Sequence, residues 1–169
     1  KMDSNLTLNI GLKGQLALNA QAVPMQEGYL KLGGVVDATN QSNGLKFGVV
    51  VSAPTNDPTA IVAGSNGGSN VIRGISVFDD AIAQNALAHS DRYLGGMPCA
   101  FIAKGLVKVQ NWKTSESNQI EPVIGAKVEY SNADGEIGFV ASTADSNYTL
   151  LTGATVVEVT NDGAYIWLA

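Results

Sequence analysis

Charge is what this chain has least of. Only 15% of its 169 residues are Asp, Glu, Lys or Arg, against about 25% in an ordinary globular domain. Ser, Thr, Asn, Gln and Gly are therefore expected to cover the surface. A surface of that kind costs less to desolvate, so it suits burial against other subunits; a secreted β-domain with a neutral surface is the alternative. The ten basic residues are scattered and the formal net charge is −5. Binding nucleic acid takes clustered Lys and Arg to displace counterions from phosphates, so no nucleic-acid partner is expected. Apolar runs are short as well. Phe47 to Val51 is typical, far below the ~20 residues of a membrane-spanning helix, and no membrane partner is expected. The opening Lys1-Met-Asp-Ser-Asn5 lacks the apolar run of a signal peptide. Use inside a cell, or a leader already absent, is the expectation. The one cysteine, Cys99, excludes an intrachain disulfide. Beside Pro98 and ahead of an apolar run, it reads as a small buried hydrophobe rather than a reactive thiol.

What the chain does have is 45% hydrophobic residues and 19 glycines. The first figure predicts a packed core rather than disorder. The length fits one domain, or one domain plus an arm. Asn43-Gly44, Asn66-Gly67, Asp134-Gly135 and Asp162-Gly163 are turn dipeptides, because Asn and Gly reach positive φ at little cost. Strand-like segments with alternating or β-branched residues lie at Leu6–Ile10, Leu45–Ser52, Val71–Phe78, Phe101–Val109, Ala126–Ser131, Glu136–Ser142, Thr155–Thr160 and Ala164–Leu168. Many short strands with regular turn signals predict an all-β fold, a compact antiparallel sandwich or barrel. Crossover helices for a parallel α/β sheet are missing. One helix of two or three turns is expected near residues 79–88, where Ala-rich sequence follows Asp79 and Asp80 as N-cap candidates.

The first 25 residues differ from the rest. Leu6, Leu8, Ile10 and Leu12 alternate along the chain, as do Leu16, Leu18 and Ala20. Residues 1–30 are therefore read either as the first strands of the sheet or as an arm that pairs with a neighbouring subunit. Residues 31–169 are read as a single β-rich domain.

Chemistry is thin throughout. His89 is the lone histidine, and no carboxylates at metal-ligand spacing accompany it; no metal site and no cofactor are expected. No serine sits in G-x-S-x-G, so a Ser-His-Asp triad has no nucleophile motif. The run Gly64-Ser-Asn-Gly-Gly-Ser-Asn70 has no following Lys-Ser or Lys-Thr and reads as a surface loop, not a phosphate cradle. Glu121, Glu129, Glu136 and Glu158 fall at polar phases and read as solvated strand faces rather than a glycosidase pair. Trp112, Tyr93 and Tyr148 are candidate glycan-binding or interface aromatics. No enzyme activity is expected.

Several blocks, read in order, resemble a family of tailed-phage capsid cement, or decoration, proteins. They are Gly33-Gly-Val-Val-Asp37, Phe47-Gly-Val-Val-Val51, Arg73-Gly-Ile-Ser-Val77, Gly96-Met-Pro-Cys-Ala-Phe-Ile-Ala-Lys-Gly-Leu-Val-Lys-Val109, Gly125-Ala-Lys-Val-Glu-Tyr130 and Gly135-Glu-Ile-Gly-Phe139. The similarity runs from about Leu32 to the C-terminus, and the order of the blocks carries it. The resemblance implies a β-domain, with a jelly roll as one form, that sits outside the shell and staples adjacent major capsid subunits. It implies a virion structural protein, made in the host cytoplasm, that stabilises the head. Self-association as a dimer or trimer on the shell is expected, with Leu6, Leu8, Ile10, Leu12, Leu16 and Leu18 as capsid-contact candidates. A carbohydrate-binding or adhesive β-module is the alternative.

Overall fold

The computed structural model of the chain describes residues 30–65, 68–79 and 91–169. Its elements are β1 (Leu30–Val36), β2 (Leu45–Lys46), β3 (Val50–Ala53), β4 (Ala60–Ala63), β5 (Val71–Val77), β6 (Arg92–Tyr93), β7 (Pro98–Val109), β8 (Lys127–Ser131), β9 (Ile137–Val140), β10 (Tyr148–Thr160) and β11 (Gly163–Leu168). The fold is all-β, as the turn-punctuated pattern predicts. The expected helix falls on residues 80–88, outside the described residues; at its start, the Asp79 carboxylate pairs with Lys31 Nζ at 2.5 Å.

Strand order follows β1-β4-β3-β5-β7-β11-β10-β8-β9, and β1 also pairs with β7. The first five strands of that order thus form a closed ring. All its pairings are antiparallel except β1 with β4, which run parallel at Val35↔Ala60 and Val36↔Ile61. From β7 the sheet continues outward through β11, β10, β8 and β9. The result is a small barrel with a sheet growing from one stave, and not the two four-stranded sheets of a jelly roll.

Two cores follow from that layout. Val36, Leu45, Phe47, Val51, Ile61, Cys99 and Phe101 pack into one cluster, drawn from the ring strands and the β2–β6 pair. Even eight strands enclose a lumen that side chains fill, so five leave no channel. The other core joins the opposite face of the ring to the extension: Val50, Ile75, Val77, Ala100 and Ile102 meet Val107, Val109, Val128, Ile137, Phe139, Val156 and Ile166. Strands β3 and β7 are buried on both faces. That explains why they read as near-continuous apolar runs rather than clean alternations.

Strand β7 is the shared stave, and Gly105 makes it work. Before Gly105, the even residues Ala100 and Ile102 face the second core; after it, the odd residues Val107 and Val109 do. A one-residue slip normally sends every later side chain to the wrong face. Gly105 absorbs the slip at φ +118°, where a side chain would be strained. Residues Pro98–Lys104 pair with β1, and Gly105–Val109 with β11. At Gly74, with φ at +150°, contact adds to the constraint: a Cβ there would lie 2.0 Å from the Ile102 carbonyl oxygen, so only glycine lets β5 approach β7.

The turn dipeptides meet the structure unevenly. Gly44 and Gly135 take positive φ as expected, whereas Asn66-Gly67 lies outside the described residues. The last hairpin pairs Thr160 with Gly163, so its two-residue turn is Asn161-Asp162 and Gly163 already belongs to β11. Thr160 Oγ1 donates to Asp162 Oδ1 at 2.7 Å to hold that turn.

Candidate functional site

Strand edges are where a β-protein meets partners, and most edges here are closed. The ring has none on its staves. The outer edge of β9 is covered by the segment after β7: Lys113 N–H donates to Ile137 O and Ile120 N–H to Phe139 O, both at 2.8 Å. A buried network fastens that segment. Glu129 is fully buried on β8; its Oε1 accepts from Gln119 Nε2 at 2.8 Å, and its Oε2 accepts from the Asp145 backbone N–H at 2.9 Å. Asp145 Oδ1 in turn accepts from Ser117 Oγ and the Asn118 N–H. The sequence reading of Glu129 as a solvated strand face is therefore corrected. Its phase is polar, but the face it points to is roofed by residues 113–120.

Apolar side chains left outside the cores mark the remaining candidate contact surface. Val123 and Ile124 are exposed, at 54% and 73%, and so are Val157 and Val159 on β10. Gly125 N–H donates to Val156 O at 2.8 Å, which brings the two pairs into one region. Leu30, at the start of β1, is also exposed. The arm residues Leu6, Leu8, Ile10, Leu12, Leu16 and Leu18 lie outside the described residues, as does His89.

The three singled-out aromatics part company. Tyr93 is fully buried; its hydroxyl donates to Val77 O at 2.6 Å and its ring meets Phe47 edge to face at 5.0 Å. Burial pushes its phenol pKa well up. As a surface aromatic Tyr93 is thus corrected: it is a core residue, packed with Phe47 in the barrel cluster. Tyr148 is half-buried at the start of β10. Trp112 is half-buried just past β7, edge to face with Phe139 at 5.8 Å, its Nε1 donating to Glu121 Oε2 at 3.1 Å.

Trp112 also borders the cleft where ring and extension meet. Lys46, Gly48, Val49, Asp91, Asn111, Lys113, Glu136 and Ile137 complete its lining, around about 280 Å³. At its centre Glu136 is held by two lysines: Oε1 accepts from Lys46 Nζ at 3.2 Å and Oε2 from Lys113 Nζ at 2.7 Å. Burial pushes the Glu136 carboxyl up, and the hydrogen bonds and charges of the lysines overcome that, leaving it below the ordinary Glu value. Hydrogen bonding to Glu136 holds the Lys113 ammonium above its own. Glu136, also read as a solvated face, is mostly enclosed, whereas Glu121 and Glu158 are exposed. Sequence spacing gave no sign of this cluster, since its lysines stand 67 and its outer members 90 residues apart.

Among the described residues no group of three or more His, Cys, Asp and Glu could hold a metal ion, and no helix is long and apolar enough to cross a membrane. Cys99 is buried in the barrel and its thiol is pushed up to about 12, by desolvation.

No curated protein matches the chain. A protein family does, one described as "Structural cement protein (E217 gp24/Pam3 gp6)", over residues 3–169. That span takes in the N-terminal segment, which the sequence resemblance, starting near Leu32, leaves out. A match along nearly the whole length settles the assignment: the chain belongs to the family of phage structural cement proteins, components of the virion capsid.

Proposed function

We propose that this protein binds the outer surface of the phage head and staples adjacent major capsid subunits, stabilising the shell without catalysis. The observation that carries the reading is the family match from residue 3 to residue 169. The exposed Val123, Ile124, Val157 and Val159 support it, because apolar groups gathered in one region are a contact surface in waiting. A specific interface buries roughly 1,200–2,000 Å². Repeated over a symmetric shell, modest binding per copy sums through multivalency.

The alternating apolar sequence of residues 1–30 supports its role as an arm that adds a strand to a capsid subunit, with Leu6, Leu8, Ile10, Leu12, Leu16 and Leu18 as contacts. Self-association as a dimer or trimer would place several arms on neighbouring subunits at once. Synthesis in the host cytoplasm and assembly onto preformed heads complete the proposal.

Undecorated heads incubated with the full chain, sedimented and then heated provide the test. The full chain is expected to co-sediment and to raise the temperature of DNA release. A chain lacking residues 1–25 is expected to bind more weakly while keeping its circular dichroism spectrum. Equal decoration by both would remove the arm from the proposal; no co-sedimentation of the full chain would remove the proposal itself.

A further inference from the structure

The structure assigns a second binding site to the cleft between barrel and extension: we propose that it takes a neutral sugar ring, packed on Trp112 and hydrogen-bonded by Asn111, Asp91 and the Lys46–Glu136–Lys113 cluster. The cleft is distinct from the exposed valines of the proposed capsid contact, and the inference does not depend on stapling.

Shape and size come first. A cavity of about 280 Å³ lies just below the usual range of ligand pockets, which starts at ~300 Å³. That size suits a single sugar ring and not an extended peptide. Its wall is mixed in the way a pyranose is mixed. A sugar ring presents C–H groups on a face and hydroxyls around its rim. Trp112, Val49 and Ile137 supply apolar surface, while the amide of Asn111, two carboxylates and two ammoniums supply donors and acceptors.

Charge then selects the ligand class. Two lysines in a cleft would ordinarily point to phosphate or another anion. Here both ammoniums already bond the two oxygens of one carboxylate, and the second carboxylate of the lining, Asp91, accepts from Arg92 Nε and Nη2, both at 3.0 Å. Each charged group lining the cleft is thus already paired, and an anion entering it would have to compete with Glu136 for both lysines and with Asp91 for Arg92. A hydroxyl does neither: it accepts from an ammonium and donates to a carboxylate without disturbing the pair. Rigidity favours binding as well. Trp112 is fixed by Phe139 and Glu121, and Glu136 by its two partners, so little side-chain freedom is lost on complex formation.

The experiment is a titration of the full chain with methyl glycosides of neutral hexoses and N-acetylhexosamines, and with sialyllactose as the acidic probe, followed through the indole N–H resonances. A neutral glycoside is expected to shift the Trp112 resonance in a saturable way. Trp167, which packs with Leu106 and Tyr165 outside the cleft, is expected to stay in place. Asn111→Ala removes an exposed side chain outside the cores and is expected to weaken binding about ten-fold, read beside its circular dichroism spectrum. Trp112→Ala is expected to abolish binding, read beside its circular dichroism spectrum because the ring also touches the core. No saturable shift with any neutral glycoside, binding undiminished in Asn111→Ala, or binding confined to sialyllactose would each overturn the assignment.

Discussion

Gln119 Nε2 donates to Glu129 Oε1 at 2.8 Å, inside a region where Glu129 has no exposed surface. That bond ties the covering segment to the sheet through buried side chains, beside the backbone bonds to β9. Removing either partner leaves a buried polar group unsatisfied, which costs about 1–3 kcal/mol, more where the group is charged. Gln119→Ala is therefore expected to lower the unfolding temperature by several degrees, and amide exchange at Ile120, whose N–H bonds Phe139 O, is expected to quicken. Unchanged protection at Ile120 would show that the segment is held by something else.

The phase slip in β7 yields a sharper expectation. Gly105→Ala adds only a methyl group, yet it places a side chain at φ +118°, a strain of order 1–3 kcal/mol. Thermal or denaturant unfolding is expected to show a loss in that range. A neutral result would mean that the backbone there relaxes without penalty.

Each core is expected to carry stability in its own right. Phe101→Ala empties part of the barrel and Phe139→Ala part of the second core. Truncating a buried Phe costs ~3–5 kcal/mol, so urea midpoints are expected to fall strongly for both. A mild effect at Phe101 would mean the barrel is not a packed unit.

The Glu136 cluster sets a pH dependence at both ends. The folded carboxyl is held below its ordinary value near 4.5. Its contribution to stability is thus full above that pH and fades as acid protonates the folded form. The Lys113 ammonium is held above its ordinary 10.5, so its contribution is full below that pH and fades as alkali removes the proton. Glu136→Gln is expected to remove this share of both flanks from a plot of unfolding free energy against pH. Profiles that superimpose after a constant offset would contradict it.

Cys99 offers a chemical test of the barrel. The thiol is buried and pushed up to about 12, so at pH 8 almost no thiolate is present to react. A thiol reagent such as dithionitrobenzoate is expected to leave the folded protein unmodified and to titrate one equivalent after denaturation. Rapid reaction in the folded state would show that the barrel opens.

Much of this fold is legible in the sequence, and particular residues show where legibility stops. Val71–Val77, Lys127–Ser131, Ile137–Val140 and Gly163–Leu168 emerge as strands because their β-branched and aromatic residues stand between turn signals. Strand β1 carries two adjacent glycines and β4 is only four residues long, so neither pattern rises above that of a loop. Ring closure depends on β1 pairing with both β4 and β7, a long-range fact that no local pattern encodes. The cleft is hidden for the same reason: Lys46, Asp91, Trp112 and Glu136 meet only because ring and extension share β7. Glu129 and Tyr93 mislead because a polar atom in a strand signals solvent only when nothing folds over it. In both, a hydrogen bond satisfies the buried group and so makes the burial tolerable.

Electron cryomicroscopy of the source particle tests the central claim most directly. The account predicts density for this fold on the outer face of the capsid lattice, in contact with at least two major capsid subunits. Density that touches a single subunit, lies inside the shell, or is absent from the capsid would contradict it.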